Sequence, residues 1–157
     1  MVILQEAPFL EFFNDSIANL DYELTIIGIS SLFTSSYQSM LDIALCCRNT
    51  FPDAILVAGG GVPTNIYLQI FQDSTNFDAL CYGEGEKPLL HLVQADNKLQ
   101  YLKESKSWIT KDKAIHGESF DYDFIENLDE IPFSDYDILN TDEYGINPTT
   151  TTYAGPR

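Results

Sequence analysis

The feature that most constrains the fold is the regular alternation of short apolar runs with amphipathic helical segments over the first 95 residues. The runs with strand character are residues 2–4, 24–30, 55–58 and 79–82, and the later ones are almost wholly apolar. The segments with helical periodicity that follow them are residues 8–20, 35–49, 63–72 and 87–95. Strands separated by helices with such short turns imply parallel βαβ units of right-handed crossover. We therefore predict an α/β fold with an open, parallel, doubly wound sheet of flavodoxin-like or Rossmann-like type.

The pattern changes after Asp96. Leu99–Leu102 and Trp108–Thr110 flank a polar stretch, which predicts a small β-hairpin. Residues 118–143 carry ten acidic side chains and no basic one, which is typical of a solvated face or an extended linker. We therefore expect an α/β domain over residues 1–96, a hairpin over 97–117 and an acidic linker over 118–157.

The net charge of the chain limits the classes of molecule that it can bind. The 157 residues carry a formal net charge of −16, so a nucleic acid or an anionic membrane would repel this surface. No apolar run reaches the roughly 18 residues that a spanning helix needs, and no basic region after Met1 indicates a signal peptide. We expect a soluble, cytoplasmic protein that binds neither nucleic acid nor membrane.

The sequence contains no self-contained catalytic or metal site. Its three cysteines and two histidines form no Cys-x-x-Cys or His-x-x-x-His pattern, and buried thiols are the simplest interpretation. A phosphate-binding Gly-x-x-x-x-Gly-Lys loop and a Gly-x-Ser-x-Gly nucleophile elbow are also missing from the sequence. We therefore predict no catalytic residue and no metal ligand among these residues.

Three loops follow the predicted core strands, at the sheet edge where open α/β sheets bind ligands. They are Ser30–Ser36, which is rich in hydroxyl groups, the triplet Gly59–Gly61, and Gly83–Glu86. Each has a structural explanation beside the functional one, because hydroxyls cap helices, glycines make tight turns and an acid favours a helix start. From the residues alone, both explanations stay open for each loop.

The spacing of these loops resembles that of a known family. Ser30-x-Leu32, then 26 residues, then Gly59-Gly60 is similar to two signature elements of cobalamin-binding domains. Further runs, in the same order, resemble the B12-binding-type N-terminal region of radical S-adenosylmethionine proteins; they are residues 27–30, 51–54, 78–86 and 128–136. The resemblance implies cobalamin as the ligand, held by Ser30, Leu32, Thr34, Gly59, Gly60, Gly61, Gly83, Glu84 and Gly85.

In that family the domain precedes a radical S-adenosylmethionine barrel, which is an iron–sulfur enzyme of the methyltransferase or oxidoreductase type. The resemblance therefore implies a parent protein whose barrel holds a 4Fe-4S cluster and S-adenosylmethionine. We expect the encoded chain to continue past Arg157 into the Cys-x-x-x-Cys-x-x-Cys motif of that barrel, which would be the partner of this domain.

Two departures from the family pattern limit the resemblance. The 29 residues before Ser30 contain no histidine, so cobalt ligation by the upstream histidine of many cobalamin domains is not expected. Only residues 2–4 are available as a strand before residues 24–30, so we expect an incomplete domain with an open sheet edge, which favours a homodimer. The alternative function is a cofactor-free α/β interaction module that docks a partner or its own barrel.

Overall fold

The computed structural model describes residues 25–127 together with 129 and 131. The chain divides into two compact units, with the boundary after Ile125. The predictions for residues 2–4 and 8–20, and for most of the acidic linker, lie outside the described residues. Within the described range, no helix combines the length and the apolar character that crossing a bilayer requires.

The described residues form one four-stranded sheet and the helices around it. The strands are β1 (Ile26–Ser30), β2 (Ile55–Gly59), β3 (Ala79–Cys81) and β4 (Trp108–Ile109). The helices are α1 (Tyr37–Thr50), α2 (Gly61–Asp73), α3 (Glu86–Gln94), α4 (Lys98–Glu104) and α5 (Lys111–His116), and a 3-10 turn over Thr34–Ser36 precedes α1.

The strand order is β1-β2-β3-β4, with the first three strands parallel and β4 antiparallel to β3. The register pairs Ser30 with Gly59, so β1 and β2 end side by side. The prediction of an α/β fold with an open parallel sheet is thus confirmed for β1, β2 and β3, whereas the edge strand β4 is antiparallel.

Hydrophobic cores lie on both faces of the sheet, because successive side chains of a strand point to opposite faces. On β2, Leu56 and Ala58 belong to a core that includes residues of α1, α2 and α5. Val57 belongs to a second core, with Leu92 of α3 and Leu102 of α4. Helices thus cover both faces of the sheet, as an open α/β fold requires, although the described strands follow one another in sequential order.

The predicted hairpin over residues 97–117 is not present, because this region forms helix, strand and helix. Asn97 accepts a hydrogen bond from the backbone N–H of Gln100 at 3.0 Å and so caps α4, and Leu102 is buried in the second core. Residues 99–102 are therefore helical, and Trp108–Ile109 pairs with β3 instead. The hairpin prediction was wrong because the composition of a short apolar run does not decide whether it forms a strand or a helix. Its conformation depends on how it is buried against the sheet.

An arginine fixes the start of β2. The guanidinium of Arg48 donates to the carbonyls of Pro52, Ala54 and Asn76 and to the carboxylate of Asp78, over 2.8–3.3 Å. The same Asp78 oxygen accepts the backbone N–H of Leu56 at 2.8 Å. This network ties the end of α1 to the beginnings of β2 and β3.

Candidate functional site

A cavity opens at the carboxyl edge of the sheet, where β1, β2 and β3 end. Its volume is about 730 Å³, which lies within the range of roughly 300–1,000 Å³ typical of small-molecule sites. Its lining comes from the strand ends, the loops after them, the start of α2 and α3, and Trp108 of β4. The site is therefore at the position where open α/β sheets bind ligands.

The structure brings most of the predicted site residues together at this cavity. Those that line it are Ser30, Leu32, Gly59, Gly60, Gly61, Gly83, Glu84 and Gly85. Thr34 lies outside the lining, at the start of the 3-10 turn. Whether these residues bind cobalamin stays a prediction.

The first two loops are joined to each other through Ser31. Its backbone N–H donates to the Gly59 carbonyl at 2.9 Å, and its own carbonyl accepts the N–H of Val62 at 3.0 Å. Its hydroxyl lies 3.3 Å from that of Ser36, and the residue is only 2% exposed. Ser31 thus holds the loops in position, while its neighbour Ser30 is exposed and faces the cavity.

Within the glycine triplet, the residue that needs to be glycine is Gly60. Its φ is +102°, and a Cβ built there would lie 2.6 Å from the Ser31 carbonyl oxygen. Gly59 is the last residue of β2, and a Cβ there would make an ordinary 3.5 Å contact with Cys81 Cβ. The close approach at Gly60 is therefore between two loops of the protein, which is the structural explanation for this glycine.

The third loop is held against the second by Thr64. The Thr64 hydroxyl accepts the backbone N–H of Gly83 at 3.1 Å and donates to the Gly60 carbonyl at 2.9 Å. Gly83 has φ +90°, a conformation that favours glycine. Thr64 lines the cavity and was not among the predicted site residues, because its role depends on two loops that are distant in sequence.

The cavity floor consists of strand residues that were not among the predicted site residues. Gly28 of β1 and Val57 of β2 lie two positions before Ser30 and Gly59, and all four line the cavity. The two-residue period of a strand would have indicated them. Trp108 and Tyr122 also line the cavity, but no local signal connects them to it, because Trp108 lies in the predicted hairpin and Tyr122 in the predicted acidic linker.

The lining has an acidic side and includes a buried thiol. Glu84 and Glu86 contribute carboxylates. Burial, followed by the nearby charges of Glu86 and Asp123, raises the pKa of the Cys81 thiol to about 12. The thiol is therefore protonated at neutral pH and donates a hydrogen bond to the Glu84 carbonyl at 3.3 Å. This arrangement suits binding rather than nucleophilic catalysis.

Metal binding by side chains has no support in the described part of the chain. Among residues 25–127, 129 and 131, no group of three or more His, Cys, Asp or Glu side chains is placed to hold a metal ion.

Comparison with known proteins gives one relative of interest. The sequence is 28% identical over 123 residues to a protein of Pyrococcus horikoshii named an uncharacterized methyltransferase (PH0819). The match covers 78% of this chain and 27% of the relative, so the chain spans about a quarter of that relative's length. Neither a protein-family model nor a solved structure matches the chain.

The name of the relative mentions methyl transfer and nothing about cobalamin, S-adenosylmethionine or an iron–sulfur cluster. The chain is therefore similar to a methyltransferase-type protein and has an α/β fold consistent with a Rossmann-like domain. The cofactors implied by the family resemblance stay predictions.

Proposed function

We propose that this domain binds cobalamin and holds it for a larger protein of the methyltransferase type. The observation that carries the proposal is the cavity at the carboxyl edge of the sheet. Small residues at its floor leave the backbone of the strands accessible to a ligand. The similarity to a named methyltransferase supports the class of the parent protein.

The shape of the cavity fits one end of such a ligand. Gly28 and Ser30 leave the backbone of β1 open, and Leu89 of α3 lines the same space. A Cβ built on Gly28 meets no atom of the described residues within 4 Å, so a side chain there would extend into the cavity. A slot between strand backbone and the Leu89 side chain suits a flat apolar ring, such as the benzimidazole of the cobalamin nucleotide tail.

The residues of this chain would bind and orient the cofactor. Gly28, Ser30 and Gly59 would let the nucleotide tail approach the sheet, and the loop of Gly83–Gly85 would border it. Cobalamin, when bound, supplies methyl-transfer chemistry at its cobalt, and the protein supplies binding and orientation.

We further propose that the parent protein is a radical S-adenosylmethionine iron–sulfur enzyme, with this domain docked on its barrel. The order of the motifs in the sequence supports this proposal. It is compatible with the match, which covers 27% of the relative's length. The cluster and S-adenosylmethionine would be held by residues outside those described.

A cofactor-free interaction module is the second candidate, and one observation favours it. Leu32 and Phe33, on the loop after β1, are 65% and 71% exposed. Large apolar side chains exposed side by side are typical of protein contact surfaces. On this alternative, the cavity would stay empty of cofactor and the loop would carry the function.

The test is a titration of the chain with hydroxocobalamin, followed by the visible spectrum at fixed ionic strength. We expect a dissociation constant on the order of 1–100 μM. Substitutions Gly28→Ala, Gly28→Val and Gly28→Leu should weaken binding progressively, with at least a tenfold loss for valine, because each fills more of the slot.

Folding should tolerate this series, since the position has open space and valine is favourable in a strand. Thr25→Val, an exposed change just before the same strand, is the matched control and should bind as the natural chain does. Absence of binding by the natural chain, with a folded circular dichroism spectrum, would favour the interaction module.

A further inference from the structure

A short segment after α5, residues 121–125, passes over the third loop of the site, and we call it the strap. The backbone N–H of Asp121 donates to the Lys106 carbonyl at 3.1 Å, before β4. At the other end, the N–H of Ile125 donates to the Glu84 carboxylate at 3.4 Å. The strap is therefore attached to the structure at both ends.

Charged side chains add to these backbone contacts. The Asp123 carboxylate lies 3.9 Å from the Lys87 ammonium and 3.8 Å from His91 Nδ1, both on α3. Asp121 lies 3.4 Å from the Lys106 ammonium. Exposed pairs of this kind contribute little stability each, but here they orient one short segment relative to α3.

The strap places the ring of Tyr122 directly on Gly83. A Cβ built on Gly83 would lie 2.5 Å from Tyr122 Cε1, so the ring occupies the space that a side chain would take. The Tyr82 ring packs against the Tyr122 ring with centroids 4.8 Å apart. One side of the Tyr122 ring thus has fixed protein neighbours.

The ring nevertheless remains open on the cavity side. Tyr122 lines the cavity and is 55% exposed. Phe120, two residues earlier, is an instructive contrast, because its ring contacts both Tyr67 and Tyr82 at 5.7 Å and packs against the first core. Phe120 anchors the segment, whereas Tyr122 presents an aromatic surface at the cavity.

We infer that Tyr122 is a ligand-contacting residue of this cavity, and that its free surface stacks on a flat, uncharged heteroaromatic ring of the ligand. The carboxylates of Glu84 and Glu86 in the same lining disfavour an anionic ring. The identification of that ring as the benzimidazole of cobalamin rests on the proposed function. The contact itself rests on the position of Tyr122.

The experiment measures binding of 5,6-dimethylbenzimidazole by isothermal titration calorimetry to the full chain and three variants. Stacking of a base on an aromatic residue contributes enough that its loss lowers affinity by roughly tenfold. We expect Tyr122→Ala to weaken binding about tenfold, and Tyr122→Phe to stay within about twofold of the natural chain because it keeps the ring.

Phe124→Ala is the matched control, since Phe124 lies on the same strap, is 51% exposed and is not part of the cavity lining. It should bind the probe as the natural chain does. No binding by the folded natural chain, or equal affinities for Tyr122→Ala and Phe124→Ala, would overturn the inference.

A parallel titration with hydroxocobalamin separates the two proposals. Binding of dimethylbenzimidazole without binding of cobalamin contradicts the proposed function and leaves the Tyr122 contact standing. Binding of cobalamin with equal affinity by the natural chain and Tyr122→Ala contradicts the contact and leaves the proposed function standing.

Discussion

Replacing Gly60 by alanine should destabilise the domain far more than the same change at Gly59. The two glycines are adjacent and both line the cavity, but only Gly60 has a positive φ, at +102°. A residue with a side chain in such a conformation costs about 1–3 kcal/mol.

The second contribution is steric. The added Cβ would lie 2.6 Å from the Ser31 carbonyl oxygen, which is held by the Val62 N–H at 3.0 Å and so cannot move without losing that bond. Overpacking against such a fixed group adds roughly 1–3 kcal/mol. Together the two contributions lower the free energy of unfolding by about 2–6 kcal/mol for Gly60→Ala.

The assay is urea unfolding followed by far-UV circular dichroism. With a slope of about 2 kcal/mol per molar urea, the midpoint for Gly60→Ala should fall by about 1–3 M. Gly59→Ala, whose Cβ makes an ordinary 3.5 Å contact in a strand, should change the free energy of unfolding by less than about 1 kcal/mol. Equal midpoints for the two variants would show that neither the positive φ of Gly60 nor its contact with the Ser31 carbonyl affects stability.

Three further predictions concern stability and reactivity. Arg48→Met removes the donors to three carbonyls and to Asp78, so the free energy of unfolding should fall by about 2–4 kcal/mol in the same urea assay, whereas Lys106→Met, at an exposed ion pair, should change it by less than about 1 kcal/mol; similar losses for both would contradict the assignment. Because burial raises the pKa of Cys81 from 9.0 to about 12, its thiol stays protonated at pH 8 in the folded state, and iodoacetamide should modify Cys46 well before it, as followed by mass spectrometry. For the same reason stability should fall as the pH rises from about 9 towards 12, where the unfolded thiol loses its proton and the folded thiol keeps it. Modification of Cys81 as fast as Cys46, or a flat stability profile over that range, would count against the burial argument.

The fold was largely predictable because apolar β-branched runs and helical periodicity alternate with short turns. Such a pattern leaves few topologies open, and the crossover rule then brings the ends of β1 and β2 to one edge. The convergence of Ser30 and Gly59 at the cavity follows from that rule alone.

The region after α3 was less predictable, since its elements are short and depend on distant partners. α4 has seven residues and β4 only two, so neither carries a clear periodic signal. Leu99, the first apolar residue of the expected hairpin, is 52% exposed on a helix, while Leu102 is buried. Whether these residues form a helix or a strand depends on how they pack against β3 and the second core.

The same limitation applies to the site. Trp108 and Tyr122 reach the cavity through tertiary contacts, and no spacing relates them to Gly59 or Gly83. The meaning of Gly60 also required the structure, because the atom nearest its absent side chain is the Ser31 carbonyl oxygen. Glycine content indicated a close approach but not which atoms approach.

A two-dimensional amide NMR titration of the chain with hydroxocobalamin shows whether the cavity binds the cofactor. We expect chemical-shift changes concentrated at Gly28, Ser30, Gly59 and Gly83, around the cavity at the carboxyl edge of the sheet. The chemical shifts of amides in the first core, such as those of Ala44 and Ala114, should not change, since these residues lie on the opposite face of the sheet. An unchanged spectrum at millimolar cobalamin, or shifts confined to that opposite face, would contradict the assignment of this cavity as a cobalamin site.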